Sequence, residues 1–260
     1  MQNLRLLKKT AWALALLFLI LFSACANSEK AKIQRQQAEA SRNLGEAYLA
    51  QGNFTLALRE LLKAESLNPK DPFVQNYLGL AYMGKGKLDI AINHFQNALA
   101  INPSYAPARN NLGTAYLAKK DWDAAIKTFK AVAEDLLYAT PHFPLSNLGW
   151  AYYNRGDYEL AEKYYLEALD IEPDFMIAQK GLARTYMAMG RPAEAISRLE
   201  KAIDKSPRMA ELHLEVGKAY AAMNQRDKAL DAFNKAIALN PESDVAQEAQ
   251  KVRLQMLNNN

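Results

Sequence analysis

One hexamer recurs along this chain of 260 residues and limits its fold more than any other feature. Asn43-Leu44-Gly45-Glu46-Ala47-Tyr48 returns as Asn111-Leu112-Gly113-Thr114-Ala115-Tyr116 and as Asn147-Leu148-Gly149-Trp150-Ala151-Tyr152. Looser copies are Tyr77-Leu78-Gly79-Leu80-Ala81-Tyr82 and Val216-Gly217-Lys218-Ala219-Tyr220. Gly45, Gly79 and Gly113 are spaced by 34 residues; Gly149 and Gly217 are 68 apart, with Ala183 at the midpoint. A fixed period of this length means stacked supersecondary units, none of which buries its apolar face alone.

Each unit carries the same punctuation. The hexamer sits on a first helix. A short polar turn follows, as in Gln51-Gly52-Asn53 and Arg155-Gly156-Asp157, where glycine suits a helix end that enters positive φ. A second helix then repeats small, large, small: Ala57/Leu61/Ala64, Ala91/Phe95/Ala98, Ala161/Tyr165/Ala168, Ala195/Leu199/Ala202 and Ala229/Phe233/Ala236. Pro69, Pro103, Pro173, Pro207 and Pro241 close the units, because proline lacks an amide donor and turns the preceding residue out of the helix. No strand is expected.

These marks resemble the tetratricopeptide repeat, with Leu-Gly, Tyr, Ala, Phe and Pro at its spacings. The resemblance implies an all-α fold, a right-handed superhelical solenoid of six helix-turn-helix repeats with a C-terminal capping helix. The units are placed at 38–71, 72–105, 106–141, 142–175, 176–209 and 210–243, with cap and tail at 244–260. In the cap, Val245, Ala249, Val252 and Met256 recur at three- and four-residue steps, with polar residues on the other face. One unit is irregular: Gly113 to Gly149 is 36 residues, and Ala131 to Thr140 runs on with no closing proline until Pro141. The second helix there is expected to run long or bend; the plainer alternative is a two-residue loop insertion.

The first 24 residues have a separate logic. Arg5, Lys8 and Lys9 precede an uncharged run from Ala11 to Phe22, and Ser23-Ala24-Cys25 follows. A basic start, an apolar run and small residues make a signal peptide; an uncleaved anchor is the other reading. The residues ending at Cys25, the chain's one cysteine, resemble a bacterial lipobox, with Phe22 where such boxes usually carry Leu. The resemblance implies that Cys25 is acylated and becomes the new N-terminus, with 25–37 as a lipidated tether. Buried methylenes contribute about 0.8 kcal/mol each, so several acyl chains hold a protein to a membrane. Ala26 follows rather than Asp, which points to the outer membrane, facing the periplasm.

Charge and motifs exclude other classes. Net charge is +4, but three of the cations lie in the leader, and no basic stripe with interleaved aromatics follows, so nucleic acid is not an expected partner. A single cysteine permits neither an internal disulfide nor a cysteine-based zinc site. His94, His142 and His213 are isolated, no serine has an elbow context, and no phosphate-loop spacing occurs. No catalytic set, metal site or cofactor is therefore expected, and the chain reads as a non-enzyme.

Function is left to the surface. In tetratricopeptide repeats the first helices line a concave groove. The positions that rule selects here are Phe73, Asn76, Tyr77, Leu80 and Met83; Asn110, Asn111, Thr114 and Leu117; Phe143, Ser146, Asn147, Trp150 and Tyr153; and Ile177, Lys180, Arg184 and Met187. Amides offer a donor and an acceptor to a peptide backbone, and aromatic and methionine side chains give adaptable apolar contact. Some of these side chains are expected to be buried between helices instead. Lys180 and Arg184 are the one basic pair on a groove turn, which does not complete the two-carboxylate clamp of chaperone-binding repeats.

Lipobox, six repeats and the Glu134-Asp135-Leu136-Leu137-Tyr138 insert together resemble the type IV pilus pilotin family (PilF/PilW type). The resemblance implies a protein partner, secretin subunits or other pilus assembly proteins, and a role in bringing them to the outer membrane. The alternatives are a general periplasmic adaptor, for example one recruiting peptidoglycan enzymes, and the regulatory part of an enzyme complex.

Overall fold

The computed structural model describes residues 30–135 and 139–258. The leader, Cys25, the Leu136-Leu137-Tyr138 part of the insert and the last two residues lie outside them. Among the described residues every regular element is a helix. In order these are α1 (30–50), α2 (Phe54–Leu67), α3 (Pro72–Gly84), α4 (Leu88–Ile101), α5 (Ala106–Ala118), α6 (Trp122–Ala133), α7 (His142–Arg155), α8 (Tyr158–Ile171), α9 (Met176–Ala188), α10 (Pro192–Lys205), α11 (Ala210–Ala222), α12 (Arg226–Leu239) and α13 (Asp244–Asn258). Residues 30–37, the second half of the expected tether, are helix continuous with α1. The chain forms two compact units, Met1–Asn111 and Leu112–Asn260, divided within α5.

Each hairpin is clamped by one contact type. The hexamer glycine opens a gap that a large side chain fills sixteen residues later. In the first unit, a Cβ on Gly45 would lie 2.6 Å from Leu61, and one on Gly79 would lie 2.5 Å from the Phe95 ring. In the second unit the same atom on Gly113 would meet Phe129 at 2.7 Å, on Gly149 Tyr165 at 2.8 Å, and on Gly217 Phe233 at 2.6 Å. The filling side chains Leu61, Phe95, Phe129 and Phe233 are 0 % exposed. Burying such a side chain contributes about 1.5–3 kcal/mol.

The fifth repeat departs from the pattern and shows why. Ala183 takes the glycine register, and its counterpart on the second helix is Leu199, not an aromatic. Glycine appears two residues earlier because Tyr165 carries a hydroxyl. A Cβ on Gly181 would lie 2.3 Å from Tyr165 Cζ and 2.6 Å from its hydroxyl oxygen. Tyr165 thus needs two glycines, one at each end of its ring, and its burial pushes the phenol pKa up.

Turns between paired helices share a second device. One residue in each has positive φ: Gly52, Gly86, Lys120, Gly156, Gly190 and Asn224. The amide of the next residue then reaches back to the hexamer tyrosine, as in Asn53 N to Tyr48 O (2.9 Å), Asp121 N to Tyr116 O (2.9 Å) and Gln225 N to Tyr220 O (2.9 Å). This is the six-to-one bond that closes a helix through a left-handed residue.

Hairpins stack within each unit. In the first, α2 packs on α3 and α3 on α4 around Leu61, Val74 and Leu78. In the second, each helix from α6 to α12 packs on the next, and α7, α9, α11 and α13 also touch in sequence. Val245, Val252 and Met256 of α13 pack partly buried onto the cluster around Phe233, as their spacing predicts.

The irregular third repeat differs from the expectation of a long or bent helix. α6 has 12 residues, whereas α4 and α8 have 14. Elsewhere an extended residue before proline ends the second helix, as at Asn102 (φ −133°). Here Glu134 stays helical at φ −78° and its amide bonds Lys130 O and Val132 O, so the helix tightens and stops. The connection to α7, 134–141, has eight residues against four at 102–105 and 172–175, so it holds the two extra residues and the two that α6 gives up.

Two substitutions test this account. Gly113→Ala is expected to lose about 1–2 kcal/mol by forcing the Phe129 ring aside. Phe129→Leu should then harm the Gly113→Ala protein less than it harms the wild type. Urea midpoints for the four proteins give the coupling, and additive losses would rule the clamp out. Lys120→Gly should raise stability by about 1 kcal/mol, since a lysine in left-handed backbone is strained. Asn224→Gly should gain less, because asparagine tolerates that region. No gain at either position would show that these turns carry no strain, and equal gains would show that asparagine is no better tolerated there than lysine.

Candidate functional site

The first-helix face of the first unit is built around Asp71. Its Oδ1 caps α3 by accepting from Phe73 N (2.8 Å) and Val74 N (3.3 Å), and its Oδ2 accepts from Arg42 Nη1 (3.0 Å). The Arg42 guanidinium, so placed, lies 5.5 Å from the centroid of the Phe73 ring, which packs edge-to-face with Tyr105 at 5.0 Å between centroids. Phe73 is 44 % exposed, so this aromatic corner faces outward. Leu80 and Met83 are half-buried. Tyr77 is hydrogen-bonded to Glu46, and burial with that carboxylate pushes its phenol pKa up.

The expected row of peptide-binding amides is partly consumed by the fold. Asn76 is buried; its Oδ1 accepts from Asn111 Nδ2 (2.9 Å), and its side chain bonds Tyr105. Asn76 is therefore a packing residue, a correction to its place in the groove set. Asn110 and Asn111 are half-buried. Asn111 gives one of its two Nδ2 hydrogens to Asn76.

In the second unit, Thr114 and Leu117 of α5 are half-buried, and Leu117 packs on the core. Of the expected groove residues on α7, Phe143 (42 %) and Trp150 (37 %) are exposed. Trp150 stacks on Tyr153 with centroids 5.8 Å apart and planes 13° from parallel. Phe143 forms a three-ring cluster with His142 (4.5 Å) and Phe175 (5.1 Å), beside exposed Ile177. Asn147 is half-buried. Ser146 is buried and its Oγ has no hydrogen-bond partner, so it too is a packing residue and a second correction.

The other half of this face is charged. Lys180 is half-buried. Arg184 Nε donates to Glu215 Oε1 at 2.9 Å, and Nη2 bonds the same oxygen. Glu215 is buried between Arg184 and Lys218, whose Nζ lies 3.7 Å from it and 2.6 Å from Glu248 Oε1. Burial tends to lower the pKa of Arg184, but the Glu215 bonds outweigh it and the net shift is upward. Glu215, Lys218 and Glu248 were absent from the expected set. Glu215 and Lys218 are the first and fourth letters of the sixth hexamer, the same letters that carry Asn147 and Trp150 in the fourth, so the position rule extended by one repeat reaches them.

His94 is half-buried against Gln75 Oε1 (2.8 Å) and stacked on Tyr82, and burial lowers its pKa. His213 is buried, with Nε2 2.8 Å from Pro207 O. Each histidine is thus accounted for by packing. No group of three or more His, Cys, Asp or Glu residues placed to hold a metal occurs among the described residues. No helix among them is long and apolar enough to cross a membrane. What the two faces present is aromatic edge, amide and oriented guanidinium, which is the chemistry of peptide recognition.

Comparison with known proteins agrees with this architecture. A crystal structure of PilW, described as a widely conserved type IV pilus biogenesis factor, superposes with a TM-score of 0.74 at 24 % identity, over 81 % of this chain and 96 % of that one. PilF of Pseudomonas aeruginosa superposes with a TM-score of 0.70 at 20 % identity, over 84 % and 99 %. Among curated sequences, anaphase-promoting complex subunit 7 of Arabidopsis thaliana is 31 % identical over 90 residues, which is 35 % of this chain and 16 % of that protein. The chain spans at most a fifth of the length of the curated relatives it matches. Models of the tetratricopeptide repeat match residues 45–86, 78–136, 144–175 and 187–251. With the glycine clamps and hairpin stacking described above, these matches identify the chain as a member of the tetratricopeptide-repeat family.

Proposed function

We propose that this protein is a lipid-anchored periplasmic scaffold for type IV pilus biogenesis, one that binds secretin subunits and promotes their localisation and assembly in the outer membrane. The observation that carries the reading is likeness over nearly the whole length of two pilus factors, PilW and PilF, rather than over a few repeats. The sequence adds the apolar leader and Cys25 at its end. In this scheme the acyl chains on Cys25 give the membrane address, and the first-helix faces hold the cargo without chemistry of their own. The exposed aromatics carry the contact: Phe73 in the first unit, Phe143 and Trp150 with Tyr153 in the second. A few such anchors supply most of the affinity of a protein interface.

Deleting the gene should abolish secretin multimers in the outer membrane; normal multimers and pili in the deletion strain would reject the pilus role. Co-purification of a peptidoglycan hydrolase in place of a secretin would favour the general adaptor. Cys25→Ser should end palmitate labelling and release the protein from membranes, whereas label persisting in the variant would refute acylation at Cys25.

Trp150→Ala with Tyr153→Ala should weaken binding to the purified secretin by about 2 kcal/mol or more, with helical circular dichroism near that of the wild type. A large loss of helix would instead assign both rings to the core.

A further inference from the structure

The first helix repeats a packing face that the internal repeats cover. At the Leu register of the hexamer, Leu78, Leu148 and Leu182 are 0 % exposed, but Leu44 is 44 % exposed. At the Ala register three residues on, Ala81, Ala151 and Ala219 are fully buried, but Ala47 is exposed. Four residues before the Leu register, Val74, Ala178 and Leu212 are buried, but Ala40 is exposed. Ala40, Leu44 and Ala47 follow one another at four- and three-residue steps, so they share one side of α1, and exposed Ile33 extends the stripe by two turns.

The internal copies show what covers such a face. α3, α7, α9 and α11 each pack on the helix that precedes them, which is the second helix of the previous repeat: α2, α6, α8 and α10. For α1 that position is unfilled among the described residues. Alanines on either side of one leucine let a helix backbone come close, which suits a packed helix better than a lipid surface. Lys30 and Lys32, both exposed on the first turn of α1, lie at the Ile33 end of the stripe and favour acidic residues at that end of the partner's apolar ridge.

We infer that the Ala40–Leu44–Ala47 side of α1 is a docking seat for an amphipathic helix of another protein, which takes the place of a preceding repeat's second helix. This surface is separate from the aromatic faces of the proposed secretin contact and does not depend on acylation of Cys25.

The surrogate ligand is a fluorescent, helix-stapled peptide with the sequence of α8, which occupies the same seat on α9, titrated against the full chain in detergent. Saturable binding is expected, at least about tenfold weaker for Leu44→Glu and within about twofold of wild type for Leu44→Met. Leu254→Glu, at the exposed position on α13, should change nothing. No saturable binding, or binding insensitive to Leu44→Glu, would overturn the seat. In cells, a photo-crosslinking residue at position 44 should join to a segment of another protein with apolar residues at three- and four-residue steps. Adducts confined to a second copy, to residues 1–29 of this chain or to lipid would overturn the stated occupant, as would labelling no greater than from position 254.

Discussion

Every hairpin in this protein depends on one steric bargain between a small residue and a large one sixteen positions later. Gly45 with Leu61, Gly79 with Phe95, Gly113 with Phe129, Gly149 with Tyr165 and Gly217 with Phe233 all obey it. A glycine inside a helix is unfavourable by roughly 1 kcal/mol against alanine. The ring it admits makes up that loss, because the filling side chain leaves water almost completely. The spacing of sixteen is the length of one helix turn-and-return, so it is indifferent to what happens between hairpins. That is why the irregular third repeat changes the interval from Gly113 to Gly149 and leaves the clamps on both sides intact.

The clamp also explains why the fold was legible in the sequence and where legibility ended. The glycines, rings, turn residues and closing prolines are local letters with a local steric meaning, and they place the hairpins. Gly181 was visible only as an oddity. Its meaning required knowing that the Tyr165 hydroxyl reaches into the next hairpin, and a contact between repeats is written in no single repeat. The insert misled for a similar reason. A missing proline suggests continuation, but α6 stops through backbone bonding at Glu134, and that choice belongs to the chain's path rather than to one residue's propensity.

The binding faces were less legible than the core. The position rule found Phe73, Phe143 and Trp150, which project outward because the first helices lie side by side with that edge uncovered. It also selected Asn76 and Ser146, which sit at the same positions and are buried. A polar side chain one turn from a core residue tips inward when a neighbouring helix offers a partner, as Asn111 does for Asn76. Arg184 is the converse case. A guanidinium on an open face would be mobile, but buried Glu215 holds it by two nitrogens, so it is preorganised and loses less entropy on meeting a ligand.

The two ends of the array treat the same problem differently. A stacked repeat that lacks a neighbour exposes the apolar face the neighbour would cover, and polar replacement is the usual remedy. At the C-terminal end that remedy is applied: in the register of the hexamer's glycine, which faces a hairpin's own second helix, α13 carries Lys251, and it is exposed. At the other end α1 keeps Leu44-Gly45, with alanines at 40 and 47. Gly45 is retained because Leu61 of its own hairpin needs the gap. Leu44 is 44 % exposed, where its counterparts Leu78, Leu148 and Leu182 are fully buried. A leucine kept in a register that the internal repeats cover with the preceding helix leaves α1 built as though it acquires a neighbour.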